Sequence, residues 1–328
     1  MNGLNIGAQR LPRLEFGVLL HTRHLIRAGG PTNFEPLWRD AMFADERGFD
    51  HIWLGDSITI LDKARGDCLT TMAALAAKTR RIRIGVAPFL AVLRNPVVLA
   101  HSLATLDVIS GGRIILGASV GSVKDDMNRQ FDACGVPHGE KAGRLNECIE
   151  IIRRLWTEES VNFAGRYYQL RETAILPRPI QKPGIPMWFA TGRNDTALKR
   201  TARLGDGWIT NAASLEIFTS SLSVIEAHRP NSTRSGAPYP IALYASVHLD
   251  GDGDRARSQG WAWMEDFFRQ PRAKLSHHLA IFGTPGECAE ILRGYIEAGL
   301  TAIICRFASE DQHTQMHRCL HELKPRVT

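Results

Sequence analysis

Eight short apolar runs, each separated from the next by a helix-forming or loop segment, constrain this chain more than any other feature. They are LEFGVLL (14–20), HIWLG (51–55), RIRIGVAPF (81–89), RIILGA (113–118), PMWFA (186–190), GWIT (207–210), IALYASVHL (241–249) and TAIICRF (301–307). Strands that alternate with helices pair in parallel, because a parallel connection needs a dozen or more residues. A count of eight predicts a closed (β/α)8 barrel, a TIM barrel, rather than an open sheet. The 328 residues suit one such barrel with insertions. No repeat or low-complexity linker divides them, so a single domain over 1–328 is expected.

The intervening segments carry their own start and stop signals. Asn33 and Pro36 open a helix over about 34–47, and Gly48 stops it. Alanines and leucines make 68–79 helical. Asn95-Pro96 begins a helix that runs on to Gly111. Near 140–156, Leu145, Ile149, Ile152 and Trp156 share one face at helical spacing. A further helix covers 196–205, and Thr284-Pro285-Gly286-Glu287 reads as a capping box ahead of a helix that Gly299 ends. Residues 211–283 hold the least regular part. Within it, 228–240 reads as loop, and about 250–280 as an insertion near the seventh strand. That insertion carries Trp261, Trp263, Phe267 and Phe268. It reads as a lid over the site, or as a satellite core or a contact with a second copy.

Charge and cysteine usage exclude several classes. Lys plus Arg is 40 against 34 for Asp plus Glu, a net charge of +6 without a basic block. A nucleic-acid binder concentrates such residues on one element or face, so no nucleic-acid partner is expected. Six cysteines include no C-x-x-C pair and read as reduced thiols of a cytosolic protein. With no signal-peptide core and no membrane-length apolar run, the chain reads as soluble and cytoplasmic, without a membrane partner.

Several motif-like stretches are decoys. From Gly112 the sequence fits G-x-x-x-x-G-x-S, but Ala118 stands where a phosphate-binding loop has lysine, and the strand lies between the glycines instead of before them. Gly117, Ser119 and Gly121 match a nucleophile-elbow spacing, but the polar VKDDMNRQ that follows lacks the apolar helix. Asp250, Asp252 and Asp254 begin like a calcium loop, yet Arg255 and Trp261 occupy its glycine and glutamate positions. His313, His317 and His321 form a helical stripe without supporting carboxylates. No metal is expected.

In a (β/α)8 barrel the chemistry sits at the C-terminal ends of the strands. That rule selects His21 and His24 after the first strand, Asp56 and Ser57 after the second, and Ala87, Pro88 and Phe89 at the third. It adds Ser119, Val120 and Gly121 after the fourth strand, Thr191, Gly192, Arg193 and Asn194 after the fifth, and Arg306 near the end of the eighth.

These segments resemble the bacterial luciferase-like family of flavin-dependent oxidoreductases and monooxygenases. The carrying motifs are HIWLGDS, AALAAKTRRIRIG, RNPVVLAHSLATLDVISGGRIILGASVG, FAGRYYQL, ILPRPIQKPGIPMWFATG, LGDGWI and FGTPGECAEIL before EAGLTAIIC, in family order over most of 14–307. The resemblance implies a barrel that binds reduced FMN or the deazaflavin coenzyme F420. FMNH2-using members take flavin from a separate reductase and oxidise a small organic substrate with oxygen. Deazaflavin members transfer hydride instead. An FMNH2-dependent monooxygenase is the main expectation, with an F420-dependent dehydrogenase or reductase, and a non-catalytic flavin-binding barrel, as alternatives. A homo-oligomer is expected.

The same resemblance assigns roles. Thr191, Gly192, Arg193 and Asn194 hold the cofactor phosphate at a helix N-terminus, unless the segment is an ordinary turn capped by Asn194 or Asp195. Asp195 is an awkward neighbour for a phosphate. Ala87 and Pro88 form a bulge behind the ring, where the residues alone read as a strand end stopped by proline, and Ser119 faces the ring's polar edge or satisfies a local turn. Several deazaflavin-using relatives have Asp-His where this chain has Asp56-Ser57, and some luciferase-type members also place a histidine nearby. The proton-handling candidates are therefore Asp56, His21 and His138, with His24 a further one. Arg144, with Lys141, stands where the family often has an arginine; the two pair with cofactor or substrate anions or simply solvate a helix start.

Overall fold

A computed structural model describes residues 13–22, 25, 32–58, 65–121, 125–229 and 238–328. His24 lies outside the described residues. The elements begin with β1 (Glu15–Leu19), α1 (Glu35–Arg47), β2 (His51–Leu54), α2 (Cys68–Lys78), β3 (Arg83–Phe89), α3 (Pro96–Ser110) and β4 (Ile114–Ala118). Then come α4 (Asp125–Ala133), α5 (Lys141–Thr157), β5 (Val161–Ala164), β6 (Gln169–Thr173), β7 (Met187–Ala190), α6 (Asp195–Leu204) and β8 (Gly207–Thr210). The last are α7 (Leu215–His228), β9 (Ile241–Leu249), α8 (Gly253–Phe268), β10 (Ala280–Gly283), α9 (Pro285–Glu297), β11 (Ala302–Phe307) and α10 (Gln312–Arg318).

Strands β9, β11, β1, β2, β3, β4, β7 and β8 follow one another around a ring that the β8–β9 pairing closes. Every pair in the ring is parallel. These are the eight apolar runs of the sequence, and the architecture is a (β/α)8 barrel. The stretch read as an insertion is a further helix–strand unit. In it α8 leads into β10, which pairs in parallel with β9 outside the ring, Ala280 opposite Ser246 through Gly283 opposite Leu249.

The expected caps form. Asn95 Oδ1 accepts from the N–H groups of Val97 and Val98, at 2.9 and 3.3 Å, ahead of α3. Gly111 ends that helix with φ 68°, a left-handed geometry that glycine adopts without steric cost. Thr284 and Glu287 exchange both bonds of a capping box. At α1 the sequence names Asn33 as cap, but Phe34 takes the N-cap position and Asn33 Oδ1 accepts from Glu35 N at 2.9 Å.

Side chains alternate across each strand, so one set faces the helices and the other fills the lumen. Outward residues such as Phe16, Val18, Ile52, Ile84 and Leu116 join Leu75, Leu99 and Leu103 in the main core. Inward, Trp53, Trp188, Ile115, Ile209 and Ile304 plug the barrel. The two indole rings lie 5.5 Å apart. Gly85 makes room for them, because a Cβ there would collide with the Trp53 ring. His51 is fully buried beside this plug, and its Nδ1 accepts from Trp53 Nε1 at 2.6 Å. Burial, reinforced by the nearby Arg83 charge, holds its pKa well below the usual imidazole range, so His51 is a neutral acceptor.

Candidate active site

The strand-end residues Asp56, Ser119 and Thr191 stand at the C-terminal ends of β2, β4 and β7, while a pocket of about 550 Å³ opens at the opposite end, lined by Arg13, Arg83, Asp206, Arg229 and Tyr239. The N-terminal face of such a barrel carries stability rather than catalysis, so the pocket is kept apart from the site.

At the end of β2, Asp56 is held on every side. Arg94 Nη1 and Nη2 donate to its two oxygens at 2.8 and 2.9 Å. The Leu90 N–H adds a bond at 3.0 Å and the Cys68 thiol one at 3.3 Å. A carboxylate has about four acceptor positions, and this one uses them on the turn after β3 and the start of α2. Burial, with the Asp56 charge second, pushes the Cys68 thiol far above its usual range. Ser57 points elsewhere: its hydroxyl donates to Gln130 Oε1 at 3.2 Å, and Ile58 N reaches the same oxygen at 2.8 Å. The position of the family histidine therefore ties the β2 loop to α4.

Along β3 the pairing with β4 shifts register between Val86 and Phe89, at the place where the family resemblance implies a bulge. The Ala87–Pro88 bond is cis, and Pro88 is exposed while Ala87 and Phe89 are buried. Next to it, Ser119 N donates to Phe89 O at 3.0 Å. The Ser119 hydroxyl accepts from Gly121 N at 3.2 Å. With Gly117 and Ala190 on the neighbouring strands, this half of the mouth offers a floor of small residues.

After β7 the chain turns through Thr191–Asn194 into α6. Gly192, Arg193 and Asn194 are exposed, and nothing lies within 4 Å of a Cβ placed on Gly192. Asn194 caps α6, its Oδ1 accepting from Ala197 N at 3.0 Å. Asp195 pairs along the helix with Lys199 Nζ, 2.8 Å away, both side chains exposed.

The other half of the mouth is aromatic and cationic. His21, after β1, stacks on Trp263 of α8 at 5.1 Å, and Trp263 stacks on Phe267 at 4.5 Å. Arg306 of β11 is buried, its Nε and Nη2 donating to Ser246 Oγ at 3.1 and 2.5 Å. Tyr244, Phe267 and Phe268 surround its guanidinium, with ring centroids 5.2, 5.7 and 4.7 Å away. The aromatic residues of α8 thus cover the β11–β1 side of the mouth and form a small core of their own with Leu275, Phe282 and Ala308.

His138 and Arg144 stand apart from this group. His138 lies ahead of α5 and pairs with Asp132 at 2.8 Å, both largely exposed. Arg144 Nε donates to Glu140 at 2.8 Å, and its guanidinium lies 5.1 Å from the Tyr167 ring, ahead of β6. Lys141 Nζ reaches Asn128 at 3.0 Å and sits over Phe131. Sequence reasoning passed over Arg65, Arg94, Tyr244 and Ser246. One signal was available: Arg306 is the lone charge in the otherwise apolar TAIICRF.

The luciferase-like monooxygenase family model matches residues 14–302. The chain belongs to that family. This luciferase-like barrel is therefore a flavin-type oxidoreductase. It is 27% identical to the F420-dependent glucose-6-phosphate dehydrogenase of Amycolatopsis mediterranei, over 88% of this chain and 92% of that one. It is 28% identical to the enzyme of the same name from Kineococcus radiotolerans, over 83% and 87%. Among solved structures it is similar to monooxygenase RslO1 from Streptomyces bottropensis, with TM-score 0.81 and 27% identity over 96% of this chain and all of that one. Among the described residues no helix is long and apolar enough to cross a membrane, and no group of His, Cys, Asp or Glu is arranged to hold a metal.

Proposed function

We propose that this protein is an F420-dependent oxidoreductase that passes hydride between the deazaflavin and a small organic substrate at the C-terminal mouth of the barrel. One observation carries the choice of cofactor: the two curated relatives above, aligned over most of this chain, are named as F420-dependent enzymes. The residues present suit such a group. The open turn at Thr191–Asn194 has room for a phosphate, and its backbone N–H groups and the α6 dipole favour negative charge there. Arg193 adds a charge-assisted donor. Ala87, Pro88, Gly117 and Ala190 leave a flat space for the ring, and Ser119 supplies a polar group at its edge. When bound, the deazaflavin supplies the hydride chemistry.

Asp56 acts here as a positioning residue. With its oxygens taken up by Arg94, Leu90 and Cys68, it fixes the β3 turn against the β2 end. Among the described proton candidates, His21 stands at the mouth with an imidazole to move a proton, oriented by its stack on Trp263.

A second reading, an FMNH2-dependent monooxygenase served by a separate reductase, is favoured by the RslO1 likeness. Incubation with oxidised F420 and a panel of small alcohols and acids under nitrogen tests the first reading. Bleaching of the deazaflavin band that requires the protein supports it. Turnover only with FMNH2 in air overturns it in favour of the second.

A further inference from the structure

Two arginines at the mouth have no part in the reading above. Arg306 lies within the fully buried strand β11, held by Ser246 and by Tyr244 OH at 3.5 Å. No carboxylate pairs with it among the described residues. Arg65 comes just before α2 and is half-buried. Its guanidinium fills the space a Cβ on Gly55 would need. Its Nε is buried without a hydrogen-bond partner among the described residues. Asp56, whose charge reaches Arg65, is already occupied by Arg94. Arg65 packs on Gly55 at the end of β2, and β2 is separated from β11, which carries Arg306, by β1 alone; the two charges lie near enough to act on one another. Burying two like charges together is costly unless a counter-charge joins them.

The ring order places this pair. Counting around the barrel, β7 and β1 are opposite, four strands apart in either direction. The phosphate turn follows β7. Arg306 is on β11 beside β1, and Arg65 follows β2. The two anion-favouring places therefore lie across the mouth from each other. The wall beside the arginines is built from the flat faces of Trp263, Phe267 and Phe268.

We propose that Arg65 and Arg306 bind an oxyanion of the substrate, and that the substrate is a flat apolar acid, an aromatic carboxylate, lying against the α8 rings. A guanidinium fork matches the two oxygens of a carboxylate, and an aromatic body suits the ring wall better than a sugar does. The inference deepens the proposed function and rests on it for the cofactor's place across the mouth.

The full-length protein is titrated calorimetrically with benzoate, with neutral benzamide and with glucose 6-phosphate, alone and with F420 present. Benzoate is expected to bind at least about tenfold more tightly than benzamide, the loss that follows from removing charge-assisted hydrogen bonds, and more tightly than glucose 6-phosphate. Arg65→Met and Arg306→Met each weaken benzoate about tenfold or more and leave F420 affinity unchanged. Arg306→Lys restores part of the affinity. Thermal melts check that the variants fold, and half-buried Arg65 carries the test if Arg306→Met does not. Absent benzoate binding, equal binding of benzoate and benzamide, tighter glucose 6-phosphate, or unchanged benzoate affinity in Arg65→Met overturns the proposal. So does a loss of F420 affinity alone, which assigns the arginines to the cofactor. Selective benzoate binding without any F420 binding supports the anion site while refuting the F420 reading.

Discussion

Arg94 and Asp56 meet fork to fork at the barrel mouth, Nη1 to Oδ2 at 2.8 Å and Nη2 to Oδ1 at 2.9 Å. The carboxylate is almost wholly buried and the guanidinium mostly so. Removing one partner strands a buried charge. Arg94→Met is expected to destabilise the protein by about 3–5 kcal/mol, read from the midpoint of urea unfolding. Arg94→Lys recovers only part of this, since an ammonium lacks the planar fork. A loss below ~1 kcal/mol for Arg94→Met would show that the pair is dispensable.

Gly192 separates binding from folding. A side chain there meets no protein atom within 4 Å, so Gly192→Val leaves the thermal midpoint unchanged. The added bulk crowds the turn proposed to hold the phosphate, and cofactor affinity is expected to fall by about tenfold, the effect of losing one or two charge-assisted bonds. Unchanged affinity in equilibrium titration would place the phosphate elsewhere.

The lumen plug is expected to dominate stability. Trp188 is 2% exposed and packs within 5.5 Å of the Trp53 ring. Trp188→Ala leaves a large cavity and costs about 3–5 kcal/mol, measurable by denaturant unfolding.

Asp45 predicts an acid-side loss of stability. Burial raises its pKa, but the N–H groups of Arg80, Arg81 and Ile82, at 2.8, 2.9 and 2.7 Å, outweigh burial and hold it below the usual value. A carboxylate depressed in the folded state stabilises at pH above its unfolded pKa, and that contribution disappears as the pH falls through the folded pKa. Asp45→Ala therefore lowers stability by about 1 kcal/mol at neutral pH, a figure reduced for its partial exposure. The gap to wild type closes in acid. A gap independent of pH would contradict the assignment.

The barrel was legible because its signals are local. Each apolar run needs only its own side chains to declare a buried parallel strand, and Asn95, Gly111 and Thr284 mark helix ends by their own chemistry. The β5–β6 hairpin was not, since residues such as Asn162, Arg171 and Glu172 are exposed and give no clean alternation. Helix α4, with its DDMNRQFDA sequence, offers only Met127 and Phe131 as large apolar residues, one turn apart, too few to mark a helix by themselves. At the site, the strand ends point to Asp56 and Arg306 but not to their side-chain partners Arg94 and Ser246. Arg94 meets Asp56 from 38 residues away, and Arg65 reaches the mouth from a loop. Such pairings arise from barrel closure, which no local window reports. His138 and Arg144 follow the strand-four region in sequence, yet the fold spends them on Asp132 and Glu140.

Equilibrium titration of the purified protein with F420 and, separately, with FMN tests the central claim most directly. Saturable F420 binding, at least about tenfold tighter than FMN and weakened by Gly192→Val, is the predicted result. Tight FMN binding with no affinity for F420 would contradict it.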